Sequence, residues 1–230
     1  MVKASLAFLL VAAAFPVPLA AQPGNPNPGV IPPSIGSDYG GLSAAWWKWT
    51  LETPAAVNPV LDDSGANCGV NQSGPVFFLA GSLGDTGVPV IRICTLPAGK
   101  RLFFPVATAF YSAEGTFEEM QQLATALVQD MQEMRVVING KPVQHIGRYW
   151  ALSPNFTINL PDDNLYGAPA GAYEPSAAAG YYLLLAPLPA GSHQLEIYAR
   201  FSFGAEVQVL YTLHVQGPGA KAVTSLKGIL

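Results

Sequence analysis

Two segments near the C-terminus alternate apolar and polar residues, and that period constrains the fold most. In Glu206–Val215, Val207, Val209, Tyr211, Leu213 and Val215 share one face, and in His193–Arg200, Leu195, Ile197 and Ala199 do the same. A period of two belongs to a β-strand with one buried face and one wet face. Asn155–Leu160 repeats it, with Phe156, Ile158 and Leu160 inward and Asn155, Thr157 and Asn159 outward. Strands of this kind must cover their apolar faces with a second layer, so a packed two-layer fold is expected. Pro75–Ala80, Val88–Thr95 and Arg101–Val106 read as further strands, with Arg92 and Cys94 on one face of the second. Tyr181–Leu185 is a continuous apolar run, which suits a strand buried on both faces. The 23 glycines and 21 prolines supply turns between short strands. Asn139-Gly140 inside Arg135–Val143 is the signature of a type I′ hairpin.

Two segments carry helical spacing instead. Thr116–Met134 places Phe117, Met120, Leu123, Ala124, Leu127, Val128, Met131 and Met134 in one stripe, opposite Gln122, Gln129, Asp130 and Glu133. Thr116 and Glu119 form a capping box at its start. This helix is expected to dock on the sheet, and its methionines offer an adaptable binding surface as the sharper alternative. Ser43–Glu52 predicts a short helix capped by Ser43 and ended near Pro54. Trp46, Trp47, Trp49 and Leu51 spread over most of its circumference, which leaves only Lys48 and Glu52 on a polar side. A helix apolar that far round is covered on two sides or awaits a partner.

The expected fold is therefore mainly β: an antiparallel β-sandwich, immunoglobulin-like or jelly-roll-like, with one docked amphipathic helix and a short Trp-rich helix. Lys3 precedes an apolar run from Ser5 to Phe15 and then the small residues Ala20 and Ala21, the pattern of a signal peptide over residues 1–21. Residues 22–37 are rich in Pro, Gly and Asn and read as an extended linker. Residues 38–216 form the single domain, with 116–134 as a helical insertion, and 217–230 is a loose tail. Leu-Pro-Ala-Gly occurs at Leu96 and again at Leu188, each time between two strands. The two copies mark either equivalent corners or two halves of one larger sandwich.

Export narrows the chemistry. Without Lys3 the chain has 10 basic and 15 acidic residues, net −5, so it has no attraction to nucleic acid or to an anionic membrane surface. The apolar run at the N-terminus is too short for an anchor, so no membrane span is expected in the mature chain. The two cysteines, Cys68 and Cys94, are expected to form a disulfide, which stabilises by roughly 3–4 kcal/mol through loop closure.

Three groups are candidate sites. Trp46, Trp47 and Trp49 could stack on sugar rings, although helical spacing points them in different directions, which favours core packing. Asp62-Asp63 and Asp162-Asp163 lie in oxygen-rich loops where calcium is conceivable, beside the plainer reading of Asx-turns. His145, His193 and His214 match no triad, zinc or phosphate motif. Arg148 with Tyr149, or Tyr181 with Tyr182, have residue types suited to lyase-like proton abstraction. No catalytic residue and no cofactor is assigned.

Several stretches resemble an uncharacterised family of exported bacterial proteins. They include Trp46-Trp47-Lys48-Trp49, Gly65-Ala66-Asn67-Cys68, Gly74 to Gly81, Cys94 to Lys100, Phe103-Phe104-Pro105, Gly180-Tyr181-Tyr182 and Gly191-Ser192-His193. The resemblance implies secretion, or residence in the periplasm, and a single β-rich fold. It implies no activity. The leading expectation is a non-enzymatic exported protein that binds a ligand or an envelope protein, or has a structural role at the envelope. The alternatives are a carbohydrate-binding protein with a glycan partner and an extracellular hydrolase or lyase acting on a polymer.

Overall fold

The computed structural model describes residues 27, 29–33, 37–83 and 87–217. The expected signal peptide, much of the linker and nearly all of the tail lie outside these residues. The chain folds as a β-sandwich of two sheets with two helices.

The first sheet is built on one long strand. It contains β1 (Val30–Ile31), β2 (Val76–Phe78), β4 (Arg101–Ser112), β7 (Trp150–Leu152), β8 (Phe156–Leu160) and β9 (Gly171–Leu185). β4 runs antiparallel along one edge of β9, from Leu102 opposite Leu185 to Ser112 opposite Ser176. The other edge of β9 is tiled by β1, β7 and β8 in turn. This explains the apolar run at Tyr181–Leu185, because Tyr182, Leu183 and Leu184 are fully buried between neighbours. Part of the expected linker belongs to the fold: Val30 is buried and pairs with Leu185.

The second sheet has the order β3 (Val90–Leu96), β11 (Glu206–Val215), β10 (Gly191–Phe201), β5 (Met131–Ile138) and β6 (Lys141–Pro142). Its pairs are antiparallel except β3, which runs parallel to β11, as β2 runs parallel to β4 in the first sheet. The expected inward residues Leu195, Ile197, Ala199, Val209, Tyr211 and Leu213 are all buried. Asn139 and Gly140 have φ of 50° and 76°, as a type I′ turn requires. Both Leu-Pro-Ala-Gly copies lie where the chain passes between the sheets, in opposite directions, and Leu96 of one and Gly191 of the other flank Val215 from either side.

The helices cover opposite faces of the first sheet. α1 (Tyr39–Glu52) starts earlier than the sequence predicts, because Asp38 and not Ser43 caps it: Asp38 Oδ1 accepts from Gly41 N at 2.8 Å. Ser43 is buried one turn inside and donates to Gly40 O. α2 (Phe117–Val128) has the expected capping box, with Thr116 N to Glu119 Oε2 at 2.7 Å and Glu119 N to Thr116 Oγ1 at 3.2 Å. Thr108 of β4 reaches α1, whereas its neighbour Ala109 packs with Ala179 against Ala124 and Val128 of α2. α2 ends at Val128, not Met134. Met131 and Met134 pair with Phe201 and Ala199 in β5, because the β-branched run Val136-Val137-Ile138 is zipped onto β10 and draws them into the ladder. The methionine face expected on one helix is thereby divided between two elements.

Candidate binding pocket

The C-terminal end of α1 leans on β8, and the angle between them is held by polar ties. Lys48 and Glu52 pair at 3.3 Å, Lys48 Nζ donates to Thr157 O, and Glu52 Oε1 accepts from Asn159 N. This sets the fully buried Leu51 beside Ile158 and Leu160, the inward residues of β8. Phe110 and Ser112 from β4 and Tyr173 from β9 complete the walls on the sheet. The segment after β8 folds over them and brings Tyr166 and Ala168 to the mouth. The result is a pocket of about 160 Å³ with no charged side chain in its lining.

Asn164 shapes that covering loop. It is buried, and its amide makes four hydrogen bonds: Nδ2 donates to Pro161 O and Ala168 O, and Oδ1 accepts from Tyr166 N and Ala168 N. A buried amide saturated in this way fixes a loop before any ligand arrives. Asp163 ties the loop to the 3-10 turn Ala55–Val57, through Ala55 N to Asp163 O at 2.8 Å and Ala56 N to Asp163 Oδ2 at 3.0 Å. Tyr173 Oη donates to Pro169 O at 2.8 Å. Burial pushes the Tyr166 hydroxyl above its ordinary pKa.

The sequence-predicted sites fall elsewhere. Trp46, Trp47 and Trp49 are 3%, 6% and 7% exposed, which leaves no indole face open for a sugar. Each indole N–H is used inside the core: Trp46 to Leu79 O at 2.9 Å, Trp47 to Thr108 Oγ1 at 3.1 Å and Trp49 to Val70 O at 2.9 Å. The expected stacking platform is corrected to a core cluster because α1 packs on the first sheet and its indoles are tied to β4 and to the segments on either side of β2. The Asp62 carboxylate binds its own loop, accepting from Ser64 N, Ser64 Oγ and Asn67 N. Its partial burial works against ionisation, yet these hydrogen bonds outweigh it and hold its pKa below the usual value. Asp63 and Asp162 are exposed. Among the described residues no three His, Cys, Asp or Glu side chains gather as a metal site, so the calcium reading gives way to loop capping.

Cys68 and Cys94 are joined, with Cα atoms 5.8 Å apart. The bond ties the long loop before β2 to β3. Arg92, two residues earlier on the same face, does so as well. It is 0% exposed, while Ile91 and Ile93 beside it are 62% and 58% exposed. Its guanidinium donates to the carbonyls of Asp62, Val60, Ala80 and Gly81 and to Tyr211 Oη.

His193 and His214 face opposite sides of the second sheet, opposite Leu213 and Ser192 respectively. The His193 ring is held by Asn139 Nδ2 and Pro189 O. Tyr149 and Tyr182 are buried and bonded within the fold, to Asn27 Nδ2 and Thr108 Oγ1. Sequence reasoning missed the pocket. Asn164 followed by Tyr166, Gly167 and Ala168 was the available signal, but its meaning depends on α1 lying opposite. No family model, no curated protein and no solved structure matches the chain.

Proposed function

We propose that this chain is an exported, non-enzymatic bacterial binding protein that holds its ligand in the pocket between α1, β8 and the Asn164 loop. The pocket carries the reading: it is apolar, shaped by a saturated buried amide, and open to solvent at Tyr166, which is 54% exposed. Concave, pre-formed and mostly apolar sites with a few placed polar groups are what ligand binding requires. The disulfide between Cys68 and Cys94 accords with an oxidising compartment, as does the resemblance to exported proteins. Sugar stacking on the tryptophans loses its support through their burial. Polymer cleavage by paired carboxylates needs two of them converging on a cleft, and no carboxylate lines this pocket.

Ligand-observed NMR with a set of small apolar and small charged compounds tests the reading. Apolar members should receive saturation from the protein, and Ala168→Phe, which fills the pocket from the loop without touching Asn164's backbone partners, should abolish the transfer. Transfer that persists in Ala168→Phe, or its absence for every apolar compound, contradicts it. Fractionation of cells making the full chain tests export; a cytoplasmic product with an unprocessed N-terminus contradicts that part.

A further inference from the structure

The size and lining of the pocket go further than binding in general. We infer that its ligand is a small neutral molecule with one aromatic ring bearing a hydroxyl group, a simple phenol. This rests on the reading of the pocket as a binding site.

Size comes first. A cavity of about 150 Å³ walled by Leu, Ile and Phe side chains takes up benzene. The present pocket, about 160 Å³, has the same kinds of wall in Leu51, Phe110, Ile158 and Leu160. One six-membered ring with a small substituent matches that volume, while a larger ligand would extend past Tyr166 into solvent. Aromatic shape is favoured over aliphatic because Phe110, Tyr166 and Tyr173 contribute ring faces and edges, which pair with another ring in offset or edge-on geometry.

Charge comes second. No cation or anion lines the pocket, so a carboxylate or an ammonium group would lose its hydration without a partner. The ligand is neutral.

The hydroxyl comes third. Tyr173 Oη gives its proton to Pro169 O, so it faces other partners as an acceptor. Ser112 Oγ is already engaged on both counts, since it donates to Pro175 O and accepts from Ser176 Oγ. Tyr166, 54% exposed at the edge of the pocket, makes no side-chain hydrogen bond among the described residues, so its hydroxyl is available to donate. The lining of an otherwise apolar pocket thus includes an acceptor, Tyr173 Oη, together with a hydroxyl that can donate, Tyr166 Oη. A phenolic O–H, which both donates and accepts, satisfies both, and benzene satisfies neither.

Calorimetric titration of the purified protein with phenol, p-cresol, benzene and benzoate tests this. Phenol and p-cresol should bind saturably, with Kd on the order of 0.1–1 mM for ligands of this size. Benzoate should bind at least about tenfold more weakly because its charge finds no partner. Tyr166→Phe should weaken phenol about five- to tenfold while leaving benzene within about twofold. Ala168→Phe and Leu160→Phe, which fill the pocket from two different walls, should each abolish phenol binding with the near-ultraviolet signature of the buried tryptophans retained. Benzoate binding as tightly as phenol, or phenol binding indifferent to Tyr166→Phe, overturns the inference. Binding of other apolar compounds to the pocket without any binding of phenol overturns the ligand class alone and leaves the binding function standing. No apolar binding at all removes both.

Discussion

At the scale of single residues, the least replaceable side chain is one that a hydropathy pattern would put outside. Arg92 sits in the core with no carboxylate partner among its hydrogen bonds, its charge met by four backbone carbonyls and Tyr211. Those carbonyls lie on both sides of β2, Val60 and Asp62 before it and Ala80 and Gly81 after it, so the guanidinium does for these segments what a strand partner would do. Arg92→Ala takes this donor from all four, of which Ala80 O keeps Tyr211 Oη as a partner, and urea unfolding should show a loss of about 3 kcal/mol. Arg92→Lys should recover only part of it, because an ammonium cannot reproduce the fork. Tyr182 gives the pH counterpart. Burial, the largest influence, pushes its hydroxyl from 10.0 up to about 12, against hydrogen bonding to Thr108, Trp47 and Ser43. The folded form therefore prefers the neutral phenol. Stability is complete below pH 10.0 and falls as the pH climbs toward 12, where the unfolded chain ionises first. Urea unfolding between pH 8 and 11.5 should show this loss, and Tyr182→Phe should make it shallower, with Tyr39 and Tyr211, also raised by burial, carrying the rest; an equal slope in both proteins contradicts the assignment.

At the scale of elements, β4 and β9 meet so closely at one point that a hydrogen atom is the only side chain allowed. A Cβ on Gly180 would lie 2.5 Å from Ala107 O and 2.8 Å from Thr108 Cα, where β4 bulges between Pro105 and Ala107. Gly180→Ala should cost about 2–3 kcal/mol in chemical denaturation, through displaced backbone and not through lost contacts. The strands themselves were legible. Alternation at His193–Arg200 and Glu206–Val215 located the second sheet, and Asn-Gly located its hairpin, since these signals are local. The end of α2 was not legible, because Met131 and Met134 continue the helical spacing while β10, some sixty residues away, claims them for the ladder. Arg92 illustrates the same limit: alternation told which residues share its face but not which face is buried. The pocket was hidden for a related reason. Leu51, Phe110, Ile158 and Ala168 come from four separate segments, and Asp162-Asp163 leaves open both an Asx-turn and a metal loop until Ala55 and Ala56 are placed against Asp163.

At the scale of the whole molecule, the two sheets differ in how they are anchored. β9 is paired along both edges and bears both helices, whereas β3 is an edge strand held by β11, by Arg92 and by the disulfide. Reduction should therefore loosen β3 and the loop before β2 first. Closing the loop between Cys68 and Cys94, 26 residues apart, should be worth about 3–4 kcal/mol, to be read as the difference in unfolding free energy between oxidised protein and the Cys68→Ala/Cys94→Ala variant. The pocket lies on the first sheet, away from that bond, so a protein lacking the disulfide but still folded should keep its ligand site.

The most direct examination of the pocket as a binding site is methyl NMR with an apolar fragment added stepwise. The methyl signals of Leu51, Ile158, Leu160 and Ala168 should move together along one saturable curve while those of Ile91 and Ile93, on the outer face of the second sheet, stay still. Shifts centred on Ile91 and Ile93, or no saturable shift at the four pocket methyls, would show that the ligand is held elsewhere or not at all.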